Sequence, residues 1–521
     1  MLQLKNFVFF ALLLSTSLIQ AEPMVLLDTL GGEPTYLNPV LATDQPSQSV
    51  AGNIFSGLFR VNPNLELEPD VAESYEISPD GRTYTFKLKQ NVKFQDGHSL
   101  TAEDVVFTFQ IIQNPKTNTV RRSNYIIEGK PIVFKAIDKY TVQAILPQPF
   151  APFLVNVAMG ILPKHLLEKE DINTAKFNRN PVGAGPFKFK EWKAAEYIRL
   201  ERNPHYFGKA PKLDGILYKI IPEERTEFIA LKKGEIDTGR VPRKDFESFK
   251  KNTKVNVFRF QDLMYVYMGF NLKNPLFADL RVRRAIAHSI NKPALVRGVL
   301  KGLGLPAEIS CAPVLWSYPE TGVVKFEYDV KKGKKLLEEA GFILNPKTKI
   351  LEKDGKPFEF TLLTNKGNKD RELSAQVIQR FLQEVGIKMN IQVMEWSTLI
   401  KKLNENIDPK KFDAVLLGWG LSLDPDDYEI WHSSQYPKGF NFIAYKNATV
   451  DANLSKGRLE TDRTKRKEIY KTIYNEIAQD VPYIFLYYPD VISGINKRVK
   501  GLSKPGPAGL MNPIENVYIA D

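Results

Sequence analysis

The densest carboxylate cluster in this 521-residue chain is Asp424-Pro425-Asp426-Asp427-Tyr428-Glu429, four acids within six positions. Such a run could ligate calcium, or supply the acid and base of glycoside hydrolysis. An EF-hand loop needs glycine at its sixth position, where Glu429 stands. The same acids also suit the start of a helix running through Ile430 and Trp431, because carboxylates favour N-caps and first turns. The histidines are His98, His165, His205, His288 and His432; none begins a zinc-protease helix motif and no two stand at ligand spacing, so no metal site is expected. Cys311 is the single cysteine, which excludes an internal disulfide and is expected to be buried and inert. No P-loop and no serine-hydrolase elbow occurs, and Gly183-Ala-Gly185 and Gly302-Leu-Gly304 lack the third glycine of a dinucleotide site. The residues therefore point to no cofactor and to a protein that is not an enzyme. The alternative kept open is an exported hydrolase that uses the carboxylates between Asp424 and Glu429.

These residues need a large scaffold. The length sets a prior of about three folding units, and 43% hydrophobic, 25% charged and 11% aromatic residues suffice for sizeable cores. Lys+Arg 72 against Asp+Glu 60 gives +12. The acids and bases are interspersed, which reads as a solvated lysine-rich surface and not as a nucleic-acid interface. Met1 to Ala21 carries Lys5, an apolar stretch from Phe7 to Leu18 and a small residue at Ala21, the pattern of a cleavable signal peptide. Glu22 follows where a lipoprotein would carry cysteine, and no later segment is long and apolar enough to span a bilayer. The expectation is an exported, periplasmic protein without a lipid anchor or a stable membrane anchor.

Local signals place the elements. Thr83–Leu88 alternates as a half-buried strand between the turns Pro79-Asp80-Gly81 and Asp96-Gly97. Thr101-Ala-Glu103-Asp104 caps a helix whose apolar face includes Val105, Val106 and Phe109. A strand is expected at Thr141–Leu146, and Pro181-Val-Gly183-Ala-Gly185-Pro186 marks a domain crossing. A helix Glu223–Lys233 stops at Gly234. Later come helices Arg281–Ser289, Lys334–Ala340, Leu373–Val385 and Thr461–Gln479, and strands Lys388–Val393, Lys411–Trp419 and Tyr483–Tyr488. That alternation predicts an α/β lobe with a partly parallel sheet, after a first half richer in strand.

The run Gly32-Glu33-Pro34-Thr-Tyr36-Leu37-Asn38-Pro39, then Ser78-Pro-Asp-Gly81 and Phe94-Gln-Asp96-Gly97-His-Ser-Leu100-Thr101-Ala102-Glu-Asp104, resembles the family 5 extracellular solute-binding proteins. Ile161-Leu-Pro163-Lys-His165, Pro181 to Pro186, Gly234-Glu-Ile-Asp237, Arg281-Val-Arg-Arg-Ala285 and Tyr483 to Asp490 extend the likeness over the mature chain. These are the oligopeptide, dipeptide and nickel receptors of ABC importers. The resemblance implies an α/β, two-lobed periplasmic binding protein (type II-like, cluster C) with an extra inserted subdomain and a two-segment hinge. Lobe I would be residues 22–65, 187–270 and 490–521, the inserted subdomain 66–186, and lobe II 271–489. The chain would cross between lobes at Phe270 and Asn271, and again at Tyr488 and Pro489, and enclose its ligand by closing there.

The resemblance also implies the site. An oligopeptide would add as a strand to lobe edges near Thr43 and Asp44 and near Gly418, Trp419, Gly420 and Leu421, with Trp419 as an apolar wall. Tyr125, with Arg121 and Arg122, would approach the cleft from the subdomain. Peptide receptors of the family carry an aspartate three residues after the tryptophan, to hold the ligand's ammonium group; Ser422 stands there in this chain. Asp424 or Asp427 is then expected to substitute, Asp44 to contribute from the other lobe, or the ligand to be something other than a short peptide held by its terminus. The implied partners are an oligopeptide and the permease subunits of an ABC transporter, with the receptor itself a monomer.

Overall fold

Strand β1 (Val25–Leu30) is the first element of the computed structural model, which describes residues 23–520. The expected signal peptide, residues 1–21, lies outside the described residues. Helix α1 (Gln45–Ile54) follows, started by Asp44 as N-cap and buried along Val50, Ala51 and Ile54. The chain then leaves for an inserted subdomain. Strands β2 (Ala72–Ile77) and β3 (Thr83–Leu88), helix α2 (Ala102–Gln113), and strands β4 (Val133–Asp138) and β5 (Thr141–Ile145) form it. Its sheet runs β2-β3-β5-β4, antiparallel throughout. The predicted capping box starts α2: the Thr101 backbone N–H donates to Asp104 Oδ2 at 2.9 Å, and Val105, Phe109 and Ile112 turn one face into the core. The breaker cluster from Pro181 brings the chain back against α1. A Cβ on Gly183 would lie 2.1 Å from the Ile54 carbonyl oxygen, so only glycine allows this approach.

Strands β6 (Phe187–Lys193), β7 (Tyr197–Arg202) and β8 (Gly215–Ile220) then build the first-lobe sheet, ordered β1-β8-β7-β6 with β1 parallel to β8. One apolar core runs unbroken from Leu26 and Ile216 of this sheet to Phe86 and Phe109 of the subdomain, and residues Ile495, Val499 and Val517 of the returning tail join it. Helix α3 (Glu224–Lys233) ends at Gly234 with φ +78°. Strands β9 (Thr238–Arg240) and β10 (Val255–Gln261) follow.

Strand β11 (Met264–Phe270) begins the second lobe. After it come α4 (Leu280–Ser289), β12 (Glu359–Asn365), α5 (Lys369–Glu384), β13 (Lys388–Met394), β14 (Ala414–Gly420), α6 (Ala448–Leu459), α7 (Arg463–Asp480) and β15 (Tyr483–Asn496). Strand β12 is parallel to both β13 and β14, and β14 is antiparallel to β11. Val282, Ile286, Ile378 and Leu382 of α4 and α5 pack on one face of this sheet. Ile469, Ile473 and Ile477 of α7 pack on the other, beside Tyr483 and Phe485. The four-residue spacing of those isoleucines is the period that predicts the helix.

Two of the expected hinge residues are not at the crossing. Phe270 is fully buried with its ring centroid 4.7 Å from that of Phe277, and the Asn271 amide donates to the Lys410 and Phe412 carbonyls at 3.0 and 2.8 Å. Both are locked inside the second lobe. The chain crosses earlier, at Asp262-Leu263 between β10 and β11, so residues 264–270 belong to the second lobe and not the first. The other crossing lies within β15, which is 14 residues long and continues eight positions past the expected end at Tyr488. Its residues up to Tyr487 pair with β11, and those from Asp490 pair with β10. Tyr488 and Pro489 sit where the partners change.

Candidate functional site

Strand β14 outlasts its neighbour. Strand β12 pairs with it only at Ala414 and Val415, whereas β11 pairs along its whole length to Gly420. From Leu417 to Gly420 the far edge of β14 therefore has no strand partner among the described residues, and such an edge is a template for another extended chain. Trp419 stands on it half-buried, edge-on to Phe440 with ring centroids 4.9 Å apart. Leu421 continues the pairing with β11 by donating to the Leu263 carbonyl at 2.7 Å, and Ser422 is exposed.

Arg371 lies behind this edge. It is buried on α5, its Nη1 donates to Asn365 Oδ1 at 2.8 Å, and its Nε has no hydrogen-bond partner. No carboxylate forms an ion pair with it among the described residues, and burial pulls its pKa down from the ordinary arginine value. Gly418 makes room for it: a Cβ there would sit 2.6 Å from Arg371 Nη2. A buried guanidinium with free donors beside an unpaired strand edge is equipped to receive a carboxylate or a peptide carbonyl.

The first lobe meets this surface from the other side. Gly32, just after β1, lies against Trp396, whose ring would be 3.1 Å from a Cβ at that position. Arg243 Nε and Asp370 Oδ2 form a 2.7 Å ion pair between the lobes. At the far end, Asn124 of the subdomain donates to Glu429 Oε1 at 2.6 Å. Arg458 donates from Nη1 to the Ser123 carbonyl at 2.9 Å and from Nη2 to Asn124 Oδ1 at 2.7 Å. At that far end, away from Arg371 and Trp419, lies a cavity of 620 Å³ bordered by α1, by Arg121, Asn124 and Tyr125 of the subdomain, by the tail at Met511 to Glu515, and by Ser422 and Glu429, within the range of small-ligand sites.

Several expected ligand-binding residues are otherwise engaged. Asp44 caps α1: Oδ1 accepts from the Ser47 N–H at 3.0 Å and Oδ2 from the Ser47 hydroxyl at 2.8 Å, with the Thr35 hydroxyl also bonded to it. The segment around Thr43 is a turn and not a strand edge, and its neighbours' carbonyls are taken, Val40 by the Thr119 hydroxyl and Ala42 by Arg121. Tyr125 is buried and its hydroxyl donates to the Asn156 carbonyl at 2.7 Å. Asp424 accepts a two-pronged bond from Arg466, both contacts 2.8 Å. Burial works against that arginine's charge, but the Asp424 carboxylate outweighs it and raises the Arg466 pKa. Asp427 is buried, which with Asp426 and Asp424 nearby pushes its pKa well above the ordinary carboxylate value.

The acidic run is therefore neither a long helix cap nor a free carboxylate pair. The helix after it is only Tyr428–Trp431, and Asp427 at its N-cap makes no side-chain cap bond. Asp426 is clamped by Arg458 Nε at 2.8 and 2.9 Å, and burial pushes Glu429 up to about 7 against the lowering by Arg121, Arg458 and Asn124. Spacing did not reveal Arg371, which hides in the polar stretch Asn368-Lys369-Asp370-Arg371-Glu372. Extending the helical period back from Ala375, Ile378 and Leu382 would have found it, since it shares their buried face. Nor does spacing anticipate that His98 and His165 meet, both against Asp96.

A family model described as bacterial extracellular solute-binding proteins, family 5 Middle, matches residues 66–441. The oligopeptide-binding protein AppA of Bacillus subtilis (strain 168) is 39% identical over 500 residues, covering 94% of this chain and 90% of that protein. The structure of AppA from Bacillus subtilis in complex with a nonapeptide aligns at 37% identity with a TM-score of 0.91, over 96% of this chain and 100% of that one. NikZ from Campylobacter jejuni in complex with Ni(L-His) aligns at 30% identity and a TM-score of 0.85, over 95% of this chain and 99% of that one.

Proposed function

We propose that this chain, which belongs to the bacterial extracellular solute-binding proteins of family 5, encloses an oligopeptide between its two lobes and delivers it to an ABC-type importer. The observation that carries this reading is the unpaired edge of β14 with the carboxylate-free guanidinium of Arg371 behind it, next to the first-lobe contacts at Trp396 and Asp370. Main-chain hydrogen bonds to the edge supply affinity for any extended peptide, and Trp419 gives its side chains an apolar wall. With Asp44 and Asp424 committed elsewhere, the ligand is held by its backbone and by a carboxylate on Arg371, not by its ammonium group.

The same engagement weighs against an exported hydrolase. Hydrolysis needs one carboxyl to give a proton and another to stay free for water or sugar, whereas Asp424 and Asp426 are each clamped by an arginine and Asp427 is buried. The chain acts as a receptor without turnover and without a cofactor. The signal peptide is cleaved before Glu22, the mature monomer diffuses in the periplasm without a lipid anchor, and the permease recognises the closed lobes. Calorimetric titration of ligand-stripped protein with one peptide, as free acid and as C-terminal amide, tests the reading. The expected result is stoichiometric binding that weakens about tenfold or more on amidation, the loss of one charged hydrogen-bond partner; equal affinity for both forms would remove Arg371 from the account.

A further inference from the structure

A second constellation lies on the inserted subdomain. The turn that Lys93 and Ser99 close by a β-bridge, with Gly97 at φ +94°, carries Asp96 and His98. The short helix Lys164–Leu167, led by Pro163, brings His165 to them. His165 Nε2 lies 2.7 Å from Asp96 Oδ2, and His98 Nδ1 lies 3.3 Å from Asp96 Oδ1. The two imidazoles stack with centroids 4.0 Å apart and planes at 24°. One donor atom from each of the three residues lies within 4.8 Å of the other two.

The group is oriented by its own surroundings. The His98 backbone N–H donates to Asp96 Oδ1 at 3.1 Å, which fixes the carboxylate, and the Phe94 ring sits 5.7 Å from the His165 ring. The neighbouring Lys164 ammonium is paired with Glu103 at 2.7 Å, which offsets its charge. The His98, His165 and Asp96 side chains are 64%, 27% and 26% exposed, so an ion can reach them and water can complete its shell.

We propose that Asp96, His98 and His165 form a surface site for a divalent transition metal such as zinc, separate from the peptide cleft. Two neutral imidazole nitrogens and one carboxylate oxygen are a donor set that zinc, nickel and copper accept, whereas calcium and magnesium prefer all-oxygen shells. Binding replaces the hydrogen bond between His165 and Asp96 by bonds to the ion, with water in the remaining position. The ion would tie the turn at Asp96 to the helix at Lys164, two parts of the subdomain. Both hydrogen bonds that hold the Asp96 carboxylate come from within the subdomain, from the His98 N–H and the His165 ring.

The test is a zinc titration of the untagged, metal-stripped protein, followed by calorimetry and by thermal unfolding. The wild type is expected to bind one zinc ion and to gain Tm with zinc. His98→Ala, which alters a mostly exposed side chain, should bind about tenfold more weakly or worse and gain no Tm, because even an outer partner of a metal ligand carries that much affinity. His205→Ala should behave as wild type, peptide affinity should be the same in all three proteins, and magnesium should give no binding. Absence of stoichiometric zinc binding by the wild type, or equal zinc affinity in His98→Ala, overturns the proposal.

Discussion

A buried charge without a carboxylate partner is costly, and Arg371 keeps one, its Nε unbonded, beside the unpaired edge of β14. If its purpose is to meet a ligand, Arg371→Met should weaken peptide binding about tenfold to a hundredfold, the worth of a charged hydrogen bond. It should leave Tm unchanged or raised, since an apolar side chain of similar length no longer buries a charge. A purely structural arginine would show the reverse, lost stability with affinity kept. Glu429 makes a second residue-scale prediction through its raised pKa. Its ordinary value is 4.5 and its buried value about 7, so the folded protein holds this proton more tightly than the unfolded chain. Its burial is therefore tolerated fully below about pH 4.5, and stability is lost as pH rises through about 7. Relative to Glu429→Gln, which stays neutral, the wild type should lose stability on the order of 2 kcal/mol between pH 5 and pH 8. Parallel Tm profiles of the two proteins would contradict this.

At the scale of elements, the loop from Leu421 to Glu429 owes its position to arginines on two helices, Arg458 of α6 and Arg466 of α7. Asp424→Asn should therefore destabilise the protein by about 3–5 kcal/mol, because it strands a buried guanidinium. The folded fraction should keep its peptide affinity, which calorimetry below the transition can read; lost affinity at full stability would return Asp424 to the site. Elements with local signals were legible in the sequence. The capping box at Thr101, the glycine stop at Gly234 and the isoleucine period of α7 each act within a few residues. The helix expected at Lys334–Ala340 begins earlier, at Val330, because Asp329 caps it by accepting from the Lys332 N–H. The strand expected at Tyr483–Tyr488 stops short of Pro489, whereas β15 runs through that proline to Asn496. The proline falls where β15 changes partners between β11 and β10, the place where a missing N–H costs least.

For the whole molecule, the sequence motifs carried the two-lobed plan but not the contacts that close it. Asn124 and Glu429 are 305 positions apart and Arg243 and Asp370 are 127 apart, and no local pattern announces such pairs. The first hinge segment, set by packing at Asp262-Leu263, falls under the same limit, whereas Asp44 does not: it caps α1 by accepting from Ser47 three positions on, with Pro46 in the first turn, a signal local to the sequence. The pairs of Asn124 with Glu429 and of Arg243 with Asp370 join the subdomain and the first lobe to the second lobe, as the proposed enclosure of a ligand between lobes requires. The proposed ligand, a peptide enclosed between the lobes, should travel with the protein. Protein purified from its native cells without stripping should, on denaturation, release material that mass spectrometry identifies as a mixture of peptides in near-stoichiometric total amount. Release of a nickel–histidine chelate or another non-peptide solute at that stoichiometry, with no peptides, would contradict the account.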